Sequence, residues 1–466
     1  MNQRSEYVHF VGIGGIGMSA LARVLLAQGV AVSGSDLSES TRLCQLRELG
    51  ARTFVGHAAE NVAQARRLVV SSAIAPENPE VRAARDRGIP IVTRGVLLAE
   101  MMEGRYGIAI AGTHGKTTTT TMVAAVLEAG GLDPTVLVGG EIVGRGVNAK
   151  LGGGEYLVAE SDESDGSFLE LRPRIAVITN IENDHLAHYG TFEALAAAFG
   201  RFAELLPDDG LAVIGVDCPE TARLARVARR ARTLTTGLDP AAELTISGLE
   251  QGGDGSRFVA VLRGRTLGEI ALSLPGVHNV ANALHAVAVG LELAIPFEQI
   301  ARGLAEFRGV RRRFDVLYRS EDVAVVDDYA HHPTAVATTI AAARQYWPGR
   351  VIAAFQPHRY TRTAYLIDDF ARALVGADEV VVADVYSAGE DPVPGVSGEA
   401  IAERVRTHAP GLSVTYVAQR DAVTDHLVAR AVPGTLLLCM GAGDITARAA
   451  EVAARLRSAE VAPAGS

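Results

Sequence analysis

Residues 111–120 read AGTHGKTTTT and connect an apolar run, residues 106–110, to a second run, residues 122–127, that is typical of a helix. A strand, a glycine turn, a Lys-Thr pair and a helix in this order predict a phosphate-binding loop, because the glycines let backbone N–H groups surround an anion. In such a loop Lys116 reaches the outer phosphates of a nucleotide and Thr117 ligates Mg²⁺.

Two further features distinguish this segment from an ordinary glycine turn. Gly112 and Gly115 are separated by two residues, where the usual pattern has four. The chain has 44 lysines and arginines together, of which only Lys116 and Lys150 are lysines. Arginine therefore serves almost everywhere that a positive charge is needed, and the lysine in the loop indicates a need for a compact ammonium. The segment predicts a variant nucleotide loop.

The composition limits the classes of protein and partner. A chain of 466 residues has room for about three domains. Its net charge of −10 argues against nucleic acid as the main partner, because phosphate backbones need basic surfaces. No uncharged apolar run approaches the ~18 residues that span a bilayer, and the first residues do not resemble a signal peptide. Cys44, Cys218 and Cys439 have no metal-ligand spacing, so we expect reduced thiols in a cytoplasmic protein without membrane insertion.

The alternation of short apolar runs with helical stretches predicts an α/β protein of three domains. Residues 1–106 are typical of an N-terminal Rossmann-like domain. Residues 107–314 carry the phosphate loop and predict a P-loop ATPase-like α/β domain with a small antiparallel part near residues 243–274. Residues 315–466 repeat the alternation and predict a second, C-terminal Rossmann-like domain.

A second glycine turn follows the first apolar run of the chain. Gly12, Gly14 and Gly17 have the spacing of a dinucleotide fingerprint, and Asp36 lies 19 residues beyond the last of them, near the ~20 expected of a ribose-binding acid. The pattern suits a ligand whose pyrophosphate lies at a helix N-terminus and whose ribose hydroxyl donates to a nearby carboxylate. NAD and a UDP-sugar both meet these requirements, so the residues alone leave the two ligands open.

Two polar segments follow apolar strands of the central region. Residues 160–165 read ESDESD, and Glu160 comes first out of its strand, which makes it the best candidate in the cluster for a Mg²⁺ ligand. Residues 179–185 read TNIENDH, and His185 beside acids is a candidate second metal ligand. A solvated loop is the alternative for most of the acids, and a structural role is the alternative for the histidine.

Two pairs of side chains suggest how smaller groups would bind. Asn279 and Asn282 lie three residues apart at the start of a predicted helix, so their amides share one face. Amides offer the donor and acceptor that an adenine edge needs, although helix capping by Asn279 is a competing explanation. Residues 356–362 read QPHRYTR after a C-terminal strand, and Arg359 and Arg362 within them predict a carboxylate site suited to an amino acid. A charged, solvated surface is the alternative for these arginines.

Together these segments resemble the Mur ligase family over nearly the whole chain. The resemblance is carried by the shortened loop, NDH at residues 183–185, HNVANA at 278–283, RRFD at 312–315 and DDYAHHP at 327–333. The N-terminal GIGGIGMS, residues 12–19, resembles the family's UDP-sugar site and favours UDP over NAD. The resemblance implies an ATP-dependent ligase of peptidoglycan precursor synthesis. It would join L-alanine to the lactyl carboxylate of UDP-N-acetylmuramate through an acyl-phosphate.

The resemblance also implies roles for individual residues. Thr117 and Glu160 would hold one Mg²⁺, and His185 would hold a second. The ATP site would comprise Gly112, Thr113, His114, Gly115, Lys116, Thr117, Thr118, Asn279, Asn282 and Arg313. The UDP-sugar site would comprise Gly14, Gly15, Ile16, Gly17, Met18, Asp36, Ser71 and Ser72, and the amino acid would meet His331, Arg359 and Arg362. The residues expected to act in catalysis are Lys116, Thr117, Glu160, His185 and His331.

One departure and several alternatives accompany this interpretation. No lysine follows His185, so the carbamylated lysine of several Mur ligases is not expected here.

A muropeptide-recycling ligase would join a tripeptide to the same UDP-sugar, whereas folate-chain ligases share the loop but not the UDP-type N-terminal domain. An NAD-dependent oxidoreductase would leave the phosphate loop without a task, and a nucleotide-sensing switch would not account for the metal and carboxylate candidates. We expect a monomer or homodimer whose domains close around the substrates.

Overall fold

The computed structural model describes residues 7–143, 146–184, 186–228, 230–253 and 255–461. Within these residues it shows a three-domain α/β fold in which the strands form three sheets. Packing groups the chain into two compact units. The first comprises residues 1–248, 258–270 and 281–307, and the second comprises residues 249–257, 271–280 and 308–466. Among the described helices, none has the length and apolar character that crossing a membrane requires.

The N-terminal sheet has five parallel strands in the order β3-β2-β1-β4-β5. The strands are β1 (Tyr7–Val11), β2 (Ala31–Asp36), β3 (Arg52–Val55), β4 (Arg67–Val70) and β5 (Ile91–Thr93). The helices are α1 (Ile16–Ala27), α2 (Thr41–Glu48), α3 (Pro79–Asp86) and α4 (Arg94–Met102), with a 3₁₀ turn over Ala59–Val62. The chain winds outward from β1 on one side and from β4 on the other, and sheets of this kind bind ligands at that switch point. The Rossmann-like prediction is confirmed.

The central sheet is larger and mostly parallel. Its order is β15-β14-β13-β12-β11-β10-β6-β9-β7-β8. The strands are β6 (Tyr106–Ala111), β7 (Thr135–Leu137), β8 (Ala149–Lys150), β9 (Tyr156–Glu160), β10 (Ile175–Ile178), β11 (Leu211–Gly215), β12 (Arg232–Thr236), β13 (Leu244–Gly252), β14 (Gly255–Leu262) and β15 (Arg265–Leu272). The helices are α5 (Lys116–Ala129), α6 (Leu186–Tyr189), α7 (Phe192–Glu204), α8 (Pro219–Val227), α9 (Val277–Glu292) and α10 (Phe297–Glu306), with a 3₁₀ turn over Ser167–Glu170.

The register of the central strands positions the phosphate loop. β6 lies between β10 and β9, and all three run parallel. Ile178 of β10 pairs with Ala111 of β6, and Glu160 of β9 pairs with Ile110. Strands buried on both faces, such as β6 and β10, need the continuous apolar runs seen in the sequence. The segments that follow these three strands therefore emerge side by side at one edge.

The C-terminal sheet has six strands in the order β16-β17-β21-β18-β19-β20. The strands are β16 (Asp315–Arg319), β17 (Val323–Asp328), β18 (Arg350–Phe355), β19 (Glu379–Ala383), β20 (Ser413–Val417) and β21 (Thr435–Met440). The helices are α11 (Pro333–Tyr346), α12 (Tyr360–Leu374), α13 (Gly398–His408), α14 (Arg420–Val428) and α15 (Ile445–Val461). β16 is an antiparallel edge strand, and the other neighbours pair in parallel. Apolar clusters cover both faces, as in other doubly wound sheets.

Candidate active site

The phosphate loop forms the connection between β6 and α5. Gly112 has a φ of 138° and Gly115 a φ of 82°, a region that favours glycine. A Cβ atom at Gly112 would lie 2.0 Å from Thr179 Oγ1, and one at Gly115 would lie 2.4 Å from Asn282 Oδ1. Both glycines are thus required by backbone conformation and by space. Gly115 is the N-cap of α5 and provides no side-chain cap, which leaves the first-turn N–H groups available to an anion.

The segment after β10 supports this loop from one side. Asn180 accepts hydrogen bonds from Thr113 N at 3.0 Å through its carbonyl and from His114 N at 2.9 Å through Oδ1. Thr179 Oγ1 donates to the His114 carbonyl at 2.6 Å. The side chain of Thr113 accepts from Glu182 N at 2.9 Å. These contacts hold the loop in shape, so residues 179–182 have a structural role that their sequence did not suggest.

Lys116 is the first residue of α5, and its side chain turns back across the loop. Its Nζ donates to the Gly112 carbonyl at 2.5 Å, to the Thr113 carbonyl at 3.3 Å and to Glu163 Oε1 at 2.6 Å. Burial alone would lower the pKa of this ammonium, but Glu163 and then Glu160 outweigh it, so the pKa is raised. Lys116 is therefore charged at neutral pH, as phosphate binding requires.

The threonines after Lys116 are buried in the helix. Thr117 is 3% exposed and Thr118 is 7% exposed. Thr120 Oγ1 donates to the Lys116 carbonyl at 2.8 Å, and Thr121 Oγ1 donates to the Thr117 carbonyl at the same distance. Such bonds to the preceding turn satisfy hydroxyls in an apolar environment. The threonine run thus fits a helix that is packed on all sides near its start.

Glu160 ends β9 next to the loop. Its Oε2 accepts a hydrogen bond from Gly139 N at 2.8 Å, and the side chain is half-buried. A carboxylate and the Thr117 hydroxyl are hard oxygen donors of the kind that Mg²⁺ prefers. The donor chemistry therefore fits Mg²⁺. His185, the third predicted metal ligand, lies outside the described residues.

The acidic segment after Glu160 is held by Arg94 at the start of α4. Arg94 Nη2 lies 2.8 Å from Asp162 Oδ2 and 3.6 Å from Asp165 Oδ2. Burial would raise the pKa of Asp162, but Arg94, the hydrogen bonds of Ser164 and the charge of Lys116 lower it to about 2. The segment is an ordered, charged structure and not a solvated loop.

Asn282 and Asn279 lie in the first turns of α9, as expected. Asn282 is 6% exposed, and its Oδ1 accepts from Thr119 Oγ1 at 3.2 Å, so its side chain contacts the helix that follows the phosphate loop. In the second compact unit, Asn279 Nδ2 donates to the Pro275 carbonyl at 2.8 Å. There, burial and then Arg313 lower the pKa of His278 to about 4.

The N-terminal glycine turn joins β1 to α1. Gly12 N and Ile13 N both donate to the Ser35 carbonyl, at 2.8 and 2.9 Å, which ties the turn to the end of β2. Gly15 is the N-cap of α1 and provides no side-chain cap. The N-terminus of α1, like that of α5, can therefore receive an anion, and the turn carries the predicted residues Gly14, Gly15, Ile16, Gly17 and Met18.

Asp36 fixes the shape of this turn. Its Oδ2 accepts from Gly14 N at 2.9 Å, and its Oδ1 accepts from Leu37 N at 2.8 Å. Ser71 and Ser72 follow β4, which pairs with β1 in parallel, so they emerge beside the turn. A Cβ atom at Gly12 would lie 3.9 Å from Ser71 Oγ. The structure thus brings these predicted sugar-nucleotide residues to one end of the sheet.

The predicted amino-acid residues follow β17 and β18 in the second compact unit. His331 Nδ1 lies 2.9 Å from the Tyr329 carbonyl, and its ring lies 6.1 Å from that of His358. His358 stacks on Tyr386 with ring centroids 5.5 Å apart. Burial, followed by Arg362 and Arg359, lowers the pKa of His358 to about 4, so this imidazole is neutral at pH 7.

Arg359 has a φ of 69°, unusual for a residue with a side chain. It is the N-cap of α12, and its N–H donates to the Tyr386 carbonyl at 2.8 Å. A strained residue held by a neighbouring loop is characteristic of a functional position. Tyr386 was not predicted, because no motif marks it and it approaches His358 only through the pairing of separate loops.

Comparison with known proteins identifies the family of the chain. Three Mur ligase family models match the sequence: the "Mur ligase family, catalytic domain" over residues 7–106, the "Mur ligase middle domain" over residues 110–290 and the "Mur ligase, glutamate ligase domain" over residues 312–443. A UDP-N-acetylmuramate–L-alanine ligase of Geotalea uraniireducens is 48% identical over 445 residues, covering 96% of this chain and 97% of that protein. The corresponding ligase of Geobacter sulfurreducens is 48% identical over 449 residues, covering 96% of each chain.

Solved structures show the same similarity in three dimensions. The crystal structure of a UDP-N-acetylmuramate-alanine ligase from Thermotoga maritima matches with a TM-score of 0.83 and 32% identity, covering 97% of this chain and 99% of that chain. A murein peptide ligase from Psychrobacter arcticus, 24% identical, shares the fold with a TM-score of 0.72 over 99% of this chain and all of that chain. The three family models match the regions of sequence that form the three sheets, and relatives align over nearly the full length. This chain therefore belongs to the Mur ligase family.

Proposed function

We propose that the chain is an ATP-dependent ligase that joins L-alanine to the lactyl carboxylate of UDP-N-acetylmuramate in peptidoglycan precursor synthesis. The observation that carries the proposal is that one compact unit contains two helix N-termini without side-chain caps, each after a glycine turn. One can receive the pyrophosphate of a UDP-sugar and the other the phosphates of ATP. An oxidoreductase that binds a single dinucleotide needs only the first. The names of the relatives supply the substrates.

The proposed reaction has three steps. The lactyl carboxylate attacks the γ-phosphorus of ATP, and ADP leaves with the electron pair of the broken P–O bond. The amine of L-alanine then attacks the acyl-phosphate carbonyl and forms a tetrahedral intermediate. This intermediate loses a proton from nitrogen to solvent and expels inorganic phosphate with the electron pair of the broken C–O bond. The first step brings an anion towards a polyanion, so positive charge must be in place beforehand. Lys116, charged and held in the loop, supplies part of that charge.

The other predicted residues would bind the metal ions, the nucleotide, the UDP-sugar and L-alanine. Thr117 and Glu160 would hold one Mg²⁺ and His185 a second, and Mg²⁺ when bound neutralises further phosphate charge. Gly112, Thr113, His114, Gly115 and Thr118 would surround the phosphates. Asn279 and Asn282 would hold the adenine, and Arg313 would contact the phosphates or the adenine. Residues 14–18, Asp36, Ser71 and Ser72 would bind the UDP-sugar. His331, Arg359 and Arg362 would receive L-alanine, with the two guanidinium groups on its carboxylate.

The proposal extends to the organisation of the protein. Residues 1–106 would form the UDP-sugar domain, residues 107–314 the ATP domain and residues 315–466 the amino-acid domain. We also propose a cytoplasmic enzyme, in keeping with cysteines that form no disulfide in the described residues. It would act as a monomer or homodimer.

Substitution of the two lysines tests the assignment of the loop. Lys116→Ala removes the ammonium that faces the phosphates, so phosphate release should fall at least ~100-fold while UDP-sugar affinity is nearly unchanged. Lys150→Ala is the matched control, because Lys150 pairs with Glu128 at 2.9 Å and Asp133 at 2.7 Å, remote in sequence from the loop. Equal loss of phosphate release and of UDP-sugar binding in Lys116→Ala would show that the two sites are misassigned.

A further inference from the structure

The Lys116 ammonium has no N–H donor left for a ligand. An ammonium has three donors, and here they meet the carbonyls of Gly112 and Thr113 and the carboxylate of Glu163. Two of these acceptors belong to the loop itself and are neutral. The third is an anion on a different segment, 47 residues further along the chain. A phosphate oxygen that binds Lys116 must therefore take a donor from one of the three.

Glu163 cannot easily move out of the way. Its side chain is 1% exposed. Its carbonyl accepts from Tyr189 Oη at 2.5 Å and from Gly166 N at 3.1 Å. The residue before it, Asp162, is held by Arg94 at 2.8 Å. The backbone that carries the carboxylate is thus fixed on both sides, whereas the lysine side chain has four rotatable bonds.

The Glu163 carboxylate also weakens the binding of a phosphate at Lys116. A buried anion within hydrogen-bond distance of the Lys116 ammonium disfavours a second anion at the same ammonium, because both compete for one charge in surroundings of low dielectric. Glu163 keeps the lysine charged, but it also occupies the group that the phosphates need. A neutral acceptor in its place would leave the lysine in position without this competition.

We propose that Glu163 is a positioning residue that holds Lys116 across the phosphate loop and competes with the outer phosphates of ATP for its ammonium. Nucleotide binding then requires the lysine to exchange the carboxylate for a phosphate oxygen. The intrinsic affinity for ATP is lower than the loop alone would give, and the lysine stays ordered between turnovers. This inference rests on the proposed binding of ATP at the loop.

Calorimetric titration of ATP into the full-length protein tests the competition. Glu163→Gln keeps the shape and an acceptor but removes the charge, so the Kd for ATP should fall by about tenfold, the equivalent of one charge-assisted hydrogen bond. The Kd for AMP, which lacks the outer phosphates, should not change. Glu170→Gln, an exposed glutamate of the same segment, is the matched control and should bind ATP like the unmodified protein.

A Kd for ATP that is unchanged or higher in Glu163→Gln would overturn the proposal, because Glu163 would then be neutral or helpful to the nucleotide. If that variant does not fold, Glu163→Asp draws the carboxylate back by one methylene, and its Kd for ATP should fall by a smaller factor; no decrease would equally overturn the proposal. If the unmodified protein binds no ATP, the proposed function fails together with the inference. If the unmodified protein binds ATP and neither variant binds it more tightly, only the inference fails.

Discussion

At the scale of single residues, Gly115 shows two constraints that are usually hard to separate. Its φ of 82° disfavours any side chain, and a Cβ atom there would lie 2.4 Å from Asn282 Oδ1. Gly131, just beyond the end of α5, has a similar φ of 76° but nothing within 4 Å of its Cβ position. Substitution of Gly115 and of Gly131 therefore separates the effect of backbone strain from the effect of a close contact with a neighbouring side chain.

Gly115→Ala should weaken ATP binding by more than about tenfold, because the loop must shift to relieve the contact with Asn282 as well as carry the strain. Gly131→Ala should cost about 1 kcal/mol of stability from strain alone and leave the Kd for ATP unchanged. Calorimetric titration and thermal melting of both variants measure these effects. Equal ATP affinities in the two variants would show that the loop tolerates the displacement of Asn282.

At the scale of secondary structure elements, the sequence predicted the strands and helices around both glycine turns. The strand before each glycine turn and the helix after it were predicted from apolar runs that match β1, α1, β6 and α5. These runs are reliable because strands buried on both faces must be apolar throughout. Contacts between elements were not predictable. Nothing in ESDESD distinguishes Glu163 from its neighbours, since its partner Lys116 is brought to it only by the pairing of β6 with β9.

The elements of the N-terminal domain are joined through a buried carboxylate, Glu80 of α3. Its oxygens accept from Ser35 Oγ at 2.6 Å, Asn61 Nδ2 at 2.6 Å and His57 Nδ1 at 3.2 Å, and His9 Nε2 lies 3.7 Å away. Burial would raise the pKa of Glu80, but the hydrogen bonds and the charge of His9 lower it to about 2 from an ordinary 4.5. One side chain thus connects β1, β2, α3 and the turn after β3.

This pKa shift makes a prediction about acid stability. A carboxyl whose folded pKa is depressed contributes stability that is present above its unfolded pKa and is lost as the pH falls through the folded value. Glu80→Gln should therefore lower the melting temperature at pH 7, with a loss of about 3 kcal/mol in stability. The difference in melting temperature between Glu80→Gln and the unmodified protein should become smaller as the pH falls from 4.5 towards 2. The exposed Glu77→Gln is the control, and a gap that does not depend on pH would contradict the assignment.

At the scale of the whole molecule, the sequence predicted a three-domain α/β fold and the Mur ligase family, and both are confirmed. The candidate site was predictable where one short segment carries it, as in the loop with Lys116. It was not predictable where separate loops meet, as for Tyr386 beside His358, because long-range pairing leaves no local pattern. The sequence also predicted Asp36 as a ribose ligand, and the structure adds that this carboxylate shapes the glycine turn.

The distribution of lysine along the whole chain makes a further prediction. A carbamate forms on an uncharged lysine amine, and the 466 residues contain no lysine beyond Lys150. Burial would lower the pKa of Lys150, but its partners Asp133 and Glu128 raise it, so it is an ammonium at neutral pH. Ligase activity should therefore be the same in CO₂-depleted buffer as in buffer with added bicarbonate. Activity that is lost on depletion and restored by bicarbonate would contradict this account.

The most direct test of the central claim is phosphate release from ATP in the presence of Mg²⁺, UDP-N-acetylmuramate and one amino acceptor at a time. The acceptors are L-alanine, glycine, L-serine and the recycling tripeptide. We expect phosphate release to be fastest with L-alanine and absent without the UDP-sugar, since the carboxylate must be activated before the amine can attack. Fastest release with the tripeptide would assign the chain to peptide recycling, and no release with any acceptor would contradict the ligase assignment.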